Sequence, residues 1–361
     1  MGMSAAIGVS VLASADFTEY ERLVLSNETG LLYASISYRR FLELILEESE
    51  PLYLMAHDGT RMLGALPAFI RRNRAHGNVL NSLPFYGSPG GVIVSPQAPD
   101  KEEVKRALMQ AFHSLALRER AAVSTIISNP LEGDHEFYEL NTQYTLRDER
   151  IGQVTRLPPH AGDDDRLRYA LMEIFHQKTR NSIRKAEKSD MVISHSGSLE
   201  AIRRLAEIHR LNIAALGGLA KPLSVFLSIR DAFEYDRDYR VYVAEKDGQV
   251  VASLLIFFYN RTAEYYVPAV LEAYRSYQPM SLLVFEAMQE AAKRGSLYWN
   301  WGGTWKTQRG VYHFKSRFGA TDRPYYYYIR ERDNSLRRLK REAILSEYPY
   351  AYVLPFEVLE A

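Results

Sequence analysis

Between Trp299 and Ala320 the chain reads WNWGGTWKTQRGVYHFKSRFGA. Within it Lys315 stands between Phe314 and the pair Arg317–Phe318, with Gly302 and Gly303 upstream and four tyrosines, Tyr325 to Tyr328, downstream. A cation set among aromatics admits two readings. It is a surface lysine that lays its stem on apolar rings and keeps its head in water, or an ammonium held where little water reaches, able to stabilise negative charge that grows on a nearby oxygen. On the second reading Tyr312 and Phe314 would exclude water, and Arg317 could anchor a phosphate or carboxylate alongside. Gly302 and Gly303 either let backbone approach a ligand closely or only turn the chain.

Two further stretches carry charge in a pattern. In KTRNSIRKAEKSDMVI, Lys178–Ile193, the residues Arg180, Arg184 and Lys188 recur every fourth position and share one helical face, while Leu171, Phe175 and Ala186 point the other way. That face can clamp a phosphate, carboxylate or nucleotide; a solvated charged stripe is the plain alternative. In Arg275-Ser-Tyr-Gln-Pro, Pro279 suits the first turn of a helix, because its fixed φ is helical and its missing N–H would have been unpaired there. A helix start flanked by Arg275 and Gln278 is a natural seat for phosphate or an acyl carbonyl, or simply the place where a helix begins.

Much is excluded. No cysteine is present, so disulfides, thiolate catalysis and thiolate metal sites are absent together. Paired catalytic carboxylates, metal-ligand spacing, a GxSxG elbow and a phosphate-cradling P-loop are not apparent. With 45 Lys and Arg against 44 Asp and Glu, the net charge of +1 gives no global field toward DNA or an acidic membrane. The first residues lack the basic start of a signal peptide, and no run of about 18 apolar residues occurs. A cytoplasmic protein with at most peripheral membrane contact is expected. The basic stretch SLRRLKREAILS, Ser335–Ser346, reads as a helix that packs its leucines on the body.

The elements that must position these residues occur twice. Two alternating apolar segments joined by Asp-Gly, Tyr53–Ile70 and Tyr242–Tyr259, align without a gap at Tyr53/Tyr242, Asp58/Asp247, Gly59/Gly248, Leu66/Leu255 and Phe69/Phe258. Asp-Gly accommodates the positive φ values of a tight hairpin turn. Helical patterns precede each hairpin, at 16–28 and 37–48 and again at 199–215 and 223–234. After each come a strand, a helix (101–120 or 279–293) and another strand (123–128 or 297–301). This is a mixed α/β order used twice. The expected division is an N-terminal domain over 1–160, a C-terminal domain over 161–332 and a helical tail over 333–361, with the acidic Pro158–Arg166 at the boundary.

Three segments, Lys178–Ile193, YRSYQPMSLLVFEAM (Tyr274–Met288) and WNWGGTWKTQRGVYHFKSRFGA, resemble those of the Fem family of peptidyltransferases and its GNAT-like relatives. The likeness covers most of Phe175–Arg330 and is weaker in the first half, where LPFYGSPGGVIV, Leu83–Val94, is similar to an acceptor loop and offers Tyr86. It implies an α/β fold of two tandem GNAT-like domains with mixed sheets flanked by helices. It assigns the family's catalytically important Phe–Lys pair to Phe314 and Lys315, and acceptor contacts to residues following a helix, here His209 and Asn212. Gly303, Tyr312 and Arg317 complete the expected site.

By that resemblance the chain is an N-acyltransferase moving an acyl or aminoacyl group onto an amine of a cell-envelope precursor, such as an amino sugar, polysaccharide or peptidoglycan peptide, bound between the halves. No tightly bound cofactor is implied; the co-substrate is acyl-CoA or aminoacyl-tRNA, which makes tRNA a candidate partner. The sequence lacks the RxxGxG loop with which ordinary GNAT enzymes grip the CoA pyrophosphate, and this favours a donor held another way. It also lacks the first-domain aspartate near the acceptor, leaving water, the substrate or His209 to take the amine's proton. The alternative is a degenerate GNAT-fold binding or scaffold protein in an envelope-polysaccharide pathway.

Overall fold

The computed structural model describes residues 7–85, 88–216, 218, 220–305 and 307–359. In chain order the elements are β1 (Gly8–Val11), α1 (Phe17–Ser26), α2 (Ile36–Ile45), β2 (Ser49–Pro51), β3 (Leu54–His57), β4 (Met62–Leu66), β5 (Phe69–Arg71), β6 (Asn78–Asn81), β7 (Ile93–Val94), α3 (Lys101–Arg118), β8 (Ala121–Ile127), α4 (His135–Asn141) and β9 (Leu146–Arg156). There follow α5 (Asp164–Ile174), α6 (Gln177–Glu187), β10 (Val192–Ser196), α7 (Leu199–Ala215), α8 (Leu223–Ala232), β11 (Tyr239–Lys246), β12 (Gln249–Tyr259), β13 (Thr262–Val270), α9 (Pro279–Lys293), β14 (Tyr298–Thr304), α10 (Arg309–Ser316), β15 (Thr321–Glu331) and α11 (Arg341–Glu347).

Two compact units result, one of residues 1–150 with 324–361, the other of 151–323. The division lies inside β9 rather than in the acidic Pro158–Arg166 segment, which leads into α5 with Asp163 capping it through the Arg166 N–H at 3.0 Å. The C-terminal residues form no separate tail. Leu336, Ile344, Tyr348, Val353 and Leu354 are buried with Val79, Val123 and Tyr327 in the first unit's core. The expected Ser335–Ser346 helix is interrupted: a short 3-10 turn ends at Arg338, and α11 starts only at Arg341.

In the first unit, β1-β3-β4-β7 form an antiparallel sheet, and β15-β8-β6-β5-β2 are neighbours in that order. Pro67 lacks the N–H a ladder needs and interrupts the hairpin, which resumes through the Leu52 N–H to Ala68 carbonyl bond at 2.7 Å. Its turn is not a two-residue one: His57 pairs with Met62, and the Asp58 carboxylate folds the four residues between by accepting from the Thr60 and Arg61 N–H groups. β6 and β8 run parallel, and beyond them the chain closes its own gap, Ser82 Oγ accepting the Ile127 N–H and the Gly90 N–H donating to the Ile127 carbonyl.

In the second unit the order is β10-β11-β12-β13-β14-β9, antiparallel throughout except between β13 and β14. Here Asp247 and Gly248 do make the two-residue turn, both with positive φ (53° and 73°), between paired Lys246 and Gln249. α9 begins at Pro279 and buries ten side chains, Leu283, Phe285 and Met288 among them, against the sheet. The parallel pair holds only for Thr262/Tyr298, Ala263/Trp299 and Glu264/Asn300, after which no rung joins the two strands among the described residues. The second unit thus opens its sheet at the place where β14 runs on toward α10.

Candidate active site

Lys315 lies on α10 and is 5% exposed, with its ammonium hydrogen-bonded to Thr304 Oγ1 at 2.8 Å and to the Gly303 carbonyl at 3.4 Å. No carboxylate pairs with it among the described residues, and burial alone pushes its pKa down to about 8. Thr304 is itself fully buried and donates to Gln153 Oε1 at 3.3 Å, whose amide nitrogen donates to the Tyr312 carbonyl at 3.4 Å. The threonine hydroxyl therefore points its proton at Gln153 and its lone pairs at the lysine. Gln153 carries no signal in the sequence; only the pairing of β9 beside β14 brings it here.

Aromatic rings close the surroundings. Trp301 packs on Phe318 (5.3 Å between centroids), Phe314 (6.1 Å) and Tyr265 (4.9 Å), and its indole N–H donates to Thr155 Oγ1 at 2.9 Å. Phe314 packs partly buried on this cluster, one residue before the lysine. Tyr312 is half-buried and donates to the Asp322 carboxylate at 2.9 Å, which raises its own pKa. A cation in such a setting is worth more to a developing anion than it would be in water, because the low local dielectric screens it weakly.

The other expected residues fall into distinct places. Arg317 is exposed at the end of α10, and its carbonyl accepts the His176 N–H at 2.8 Å, tying α10 to the start of α6. Arg184 is exposed on α6, whereas Arg180 reaches back to the carbonyls of Met172 (3.2 Å) and Phe175 (3.1 Å) and so caps the C-terminal end of α5. Arg275 is exposed in a 3-10 turn over Glu272–Tyr277, and Gln278 follows in the left-handed region at φ 63° with its side chain bonded to the Arg275 carbonyl. Asn212 uses both ends of its amide on Val270, donating to its carbonyl at 2.8 Å and accepting its N–H at 2.9 Å, which fastens α7 to the end of β13. His209 is buried against Phe226 (5.4 Å), and burial with the nearby Lys221 lowers its pKa to about 4. Gly303 is exposed and contributes its carbonyl to Lys315. Tyr86 lies outside the described residues.

The structure thus brings together Lys315, Phe314, Tyr312 and Gly303, and adds Thr304, Gln153 and Trp301. Among the described residues no cluster of His, Asp and Glu could hold a metal ion, and no helix is long and apolar enough to cross a membrane.

Residues 175–316 match the acetyltransferase (GNAT) domain family. No curated protein matches the chain. Among solved structures it is similar to FemX, with a TM-score of 0.70, 15% identity, and 88% of this chain and 96% of that one covered. It is also similar to the C-terminal domain of a putative lysylphosphatidylglycerol synthetase from Agrobacterium fabrum (TM-score 0.55, 12% identity, 92% and 96% covered). A tandem GNAT protein from the clavulanic acid biosynthesis pathway gives TM-score 0.55 and 13% identity, with 90% and 98% covered. At these identities the structural likeness shows the fold alone. The chain therefore has a tandem GNAT fold, and the stretch that matches the acetyltransferase (GNAT) domain ends on the helix carrying Lys315.

Proposed function

We propose that the protein is an acyl- or aminoacyltransferase that forms an amide on an amine of a cell-envelope precursor, working in the cytoplasm, with Lys315 as its electrostatic catalyst. The observation that carries this reading is a buried ammonium with hydroxyl and carbonyl partners but no carboxylate among the described residues. The acceptor amine attacks the donor carbonyl, a C–N bond forms, and the carbonyl oxygen becomes anionic. Lys315 stabilises that oxygen more than the neutral carbonyl before it, which lowers the barrier rather than merely tightening binding. Collapse expels the tRNA hydroxyl or CoA thiolate as the C–O or C–S bond breaks, and the amine's proton leaves to water or substrate. Lys315 stays protonated throughout.

For the donor, the turn before α9 supports aminoacyl-tRNA over acyl-CoA. It has no glycine between Glu272 and Gln278, places a carboxylate at its start, and leaves Gln278 in a left-handed conformation where a glycine loop would otherwise wrap a pyrophosphate. Arg184 and Arg317, exposed, remain available to nucleic-acid phosphates. Filter binding with a charged tRNA set against calorimetry with acetyl-CoA tests the choice: retention of the tRNA alone is expected, and binding of acetyl-CoA alone overturns it. Turnover that depends on Lys315 removes the alternative of a catalytically silent scaffold.

A further inference from the structure

β14 contains an irregularity that decides where Lys315 finds its partners. Asn300 pairs with Val154 of β9 and Gly303 with Gly152, so two residues, Trp301 and Gly302, stand opposite the single Gln153. This is a β-bulge, with Gly302 in the left-handed region at φ 69°. In a regular strand, side chains alternate, and residues three apart such as Trp301 and Thr304 face opposite sides. Here both face the same side: Trp301 bonds Thr155 and Thr304 bonds Gln153, two positions on one face of β9, and both reach α10. The inserted residue is what turns Thr304 toward the lysine.

The bulge frees the Gly302 N–H from the ladder, and one side chain collects it. Asn300 Oδ1 accepts it at 3.0 Å, while Asn300 Nδ2 donates to Glu264 Oε2 at 2.9 Å. Asn300 and Glu264 are both 1% exposed and occupy the last rung of the parallel β13/β14 pair. A buried hydrogen bond from a neighbouring strand therefore fixes the amide that fixes the bulge.

We infer that Asn300, anchored by Glu264, is a positioning residue: it holds the β14 bulge whose Gly303 carbonyl and Thr304 hydroxyl set the Lys315 ammonium in place. The inference rests on the reading of Lys315 as the electrostatic catalyst, and it reaches Lys315 only through backbone and Thr304. Loss of the Asn300 amide leaves the Gly302 N–H without its acceptor, the bulge relaxes, and water reaches the ammonium.

The test compares the wild type with Asn300→Ala by two readouts. One is the titration of Lys315, followed by the 13Cε shift in 13C-lysine-labelled protein and assigned by its loss in Lys315→Arg. The other is kcat and acceptor KM with the donor that supports turnover. Expected are a titration midpoint of about 8 in the wild type that rises by at least one pH unit in Asn300→Ala, and a kcat at least tenfold lower with KM within twofold. An unchanged midpoint and unchanged kcat in the folded variant overturn the inference. A lowered melting temperature alone, with both readouts unmoved, assigns Asn300 to stability only and overturns it equally. If Asn300→Ala does not fold, Thr304→Val keeps the bulge and removes the hydroxyl that accepts from the ammonium, so the midpoint is expected to fall rather than rise, with kcat again at least tenfold lower, and an unmoved midpoint and kcat overturn the inference. The two readings fail separately: full turnover in Lys315→Ala refutes the catalytic role of the lysine, whereas loss there with no effect in Asn300→Ala or Thr304→Val refutes only the positioning.

Discussion

Replacing Lys315 with methionine should abolish turnover and make the protein more stable. Burial lowers the lysine's pKa from 10.5 to about 8, so at pH 7 the folded protein carries a charge it would rather not hold. The difference corresponds to about 3 kcal/mol. The sign follows from proton counting. Between about pH 8 and 10.5 the folded state has released the Lys315 proton while the unfolded state still holds it, so stability rises with pH through that window. Below about 8 the full penalty is present. Methionine removes the penalty, keeps the length of the stem, and forfeits the hydrogen bonds to Thr304 and Gly303, worth about 1 kcal/mol together. Net stabilisation at pH 7 is then about 2 kcal/mol, or roughly 4–8 °C in melting temperature for a unit of this size. Denaturant melts of both proteins at pH 7 and pH 10 measure it, and the advantage of Lys315→Met should shrink toward zero at the higher pH. A loss of 3 kcal/mol or more at pH 7, as when one member of a buried ion pair is removed, would refute the picture of an unpaired buried cation.

Other consequences are simpler. If the protonated lysine stabilises the oxyanion, the rate should fall as pH rises through about 8, and a rate–pH profile still climbing at pH 9.5 would oppose the assignment. Asn212→Ala should cost about 2 kcal/mol by leaving the Val270 N–H and carbonyl without partners, with acceptor KM little changed in steady-state assays. Arg180→Ala should lower the melting temperature by uncapping α5, while Arg184→Ala should leave stability alone and weaken tRNA retention on filters; the reverse pattern would exchange their roles.

What could be read from the sequence follows physical lines. The helices at Leu199–Ala215 and Pro279–Lys293 were legible from period and from Pro279 at the first turn, and the structure places them at those residues. The Asp-Gly hairpins were legible as hairpins, but identical dipeptides gave a two-residue turn at Asp247–Gly248 and a four-residue loop at Asp58–Arg61. There the Asp58 carboxylate competes for backbone N–H groups. The unit boundary inside β9 and the return of residues 324–361 to the first core were hidden, because both depend on pairing between distant strands.

For the site, Lys315 and its aromatic wall stood out because their composition is local. Thr304 and Gln153 did not, since one needs a bulge and the other a neighbouring strand to reach the ammonium. Arg180, singled out by its spacing, and Asn212, by the family resemblance, illustrate the opposite: their hydrogen bonds go to backbone carbonyls and N–H groups that lie at a helix end or far along the chain.

The most direct measurement is turnover of wild type and Lys315→Ala with charged tRNAs and acyl-CoAs offered alongside envelope amines, with acceptor binding measured separately. In Lys315→Ala kcat is expected to fall by about 100-fold or more while acceptor affinity changes little, as for loss of an oxyanion-stabilising group. Equal kcat in the two proteins would contradict it.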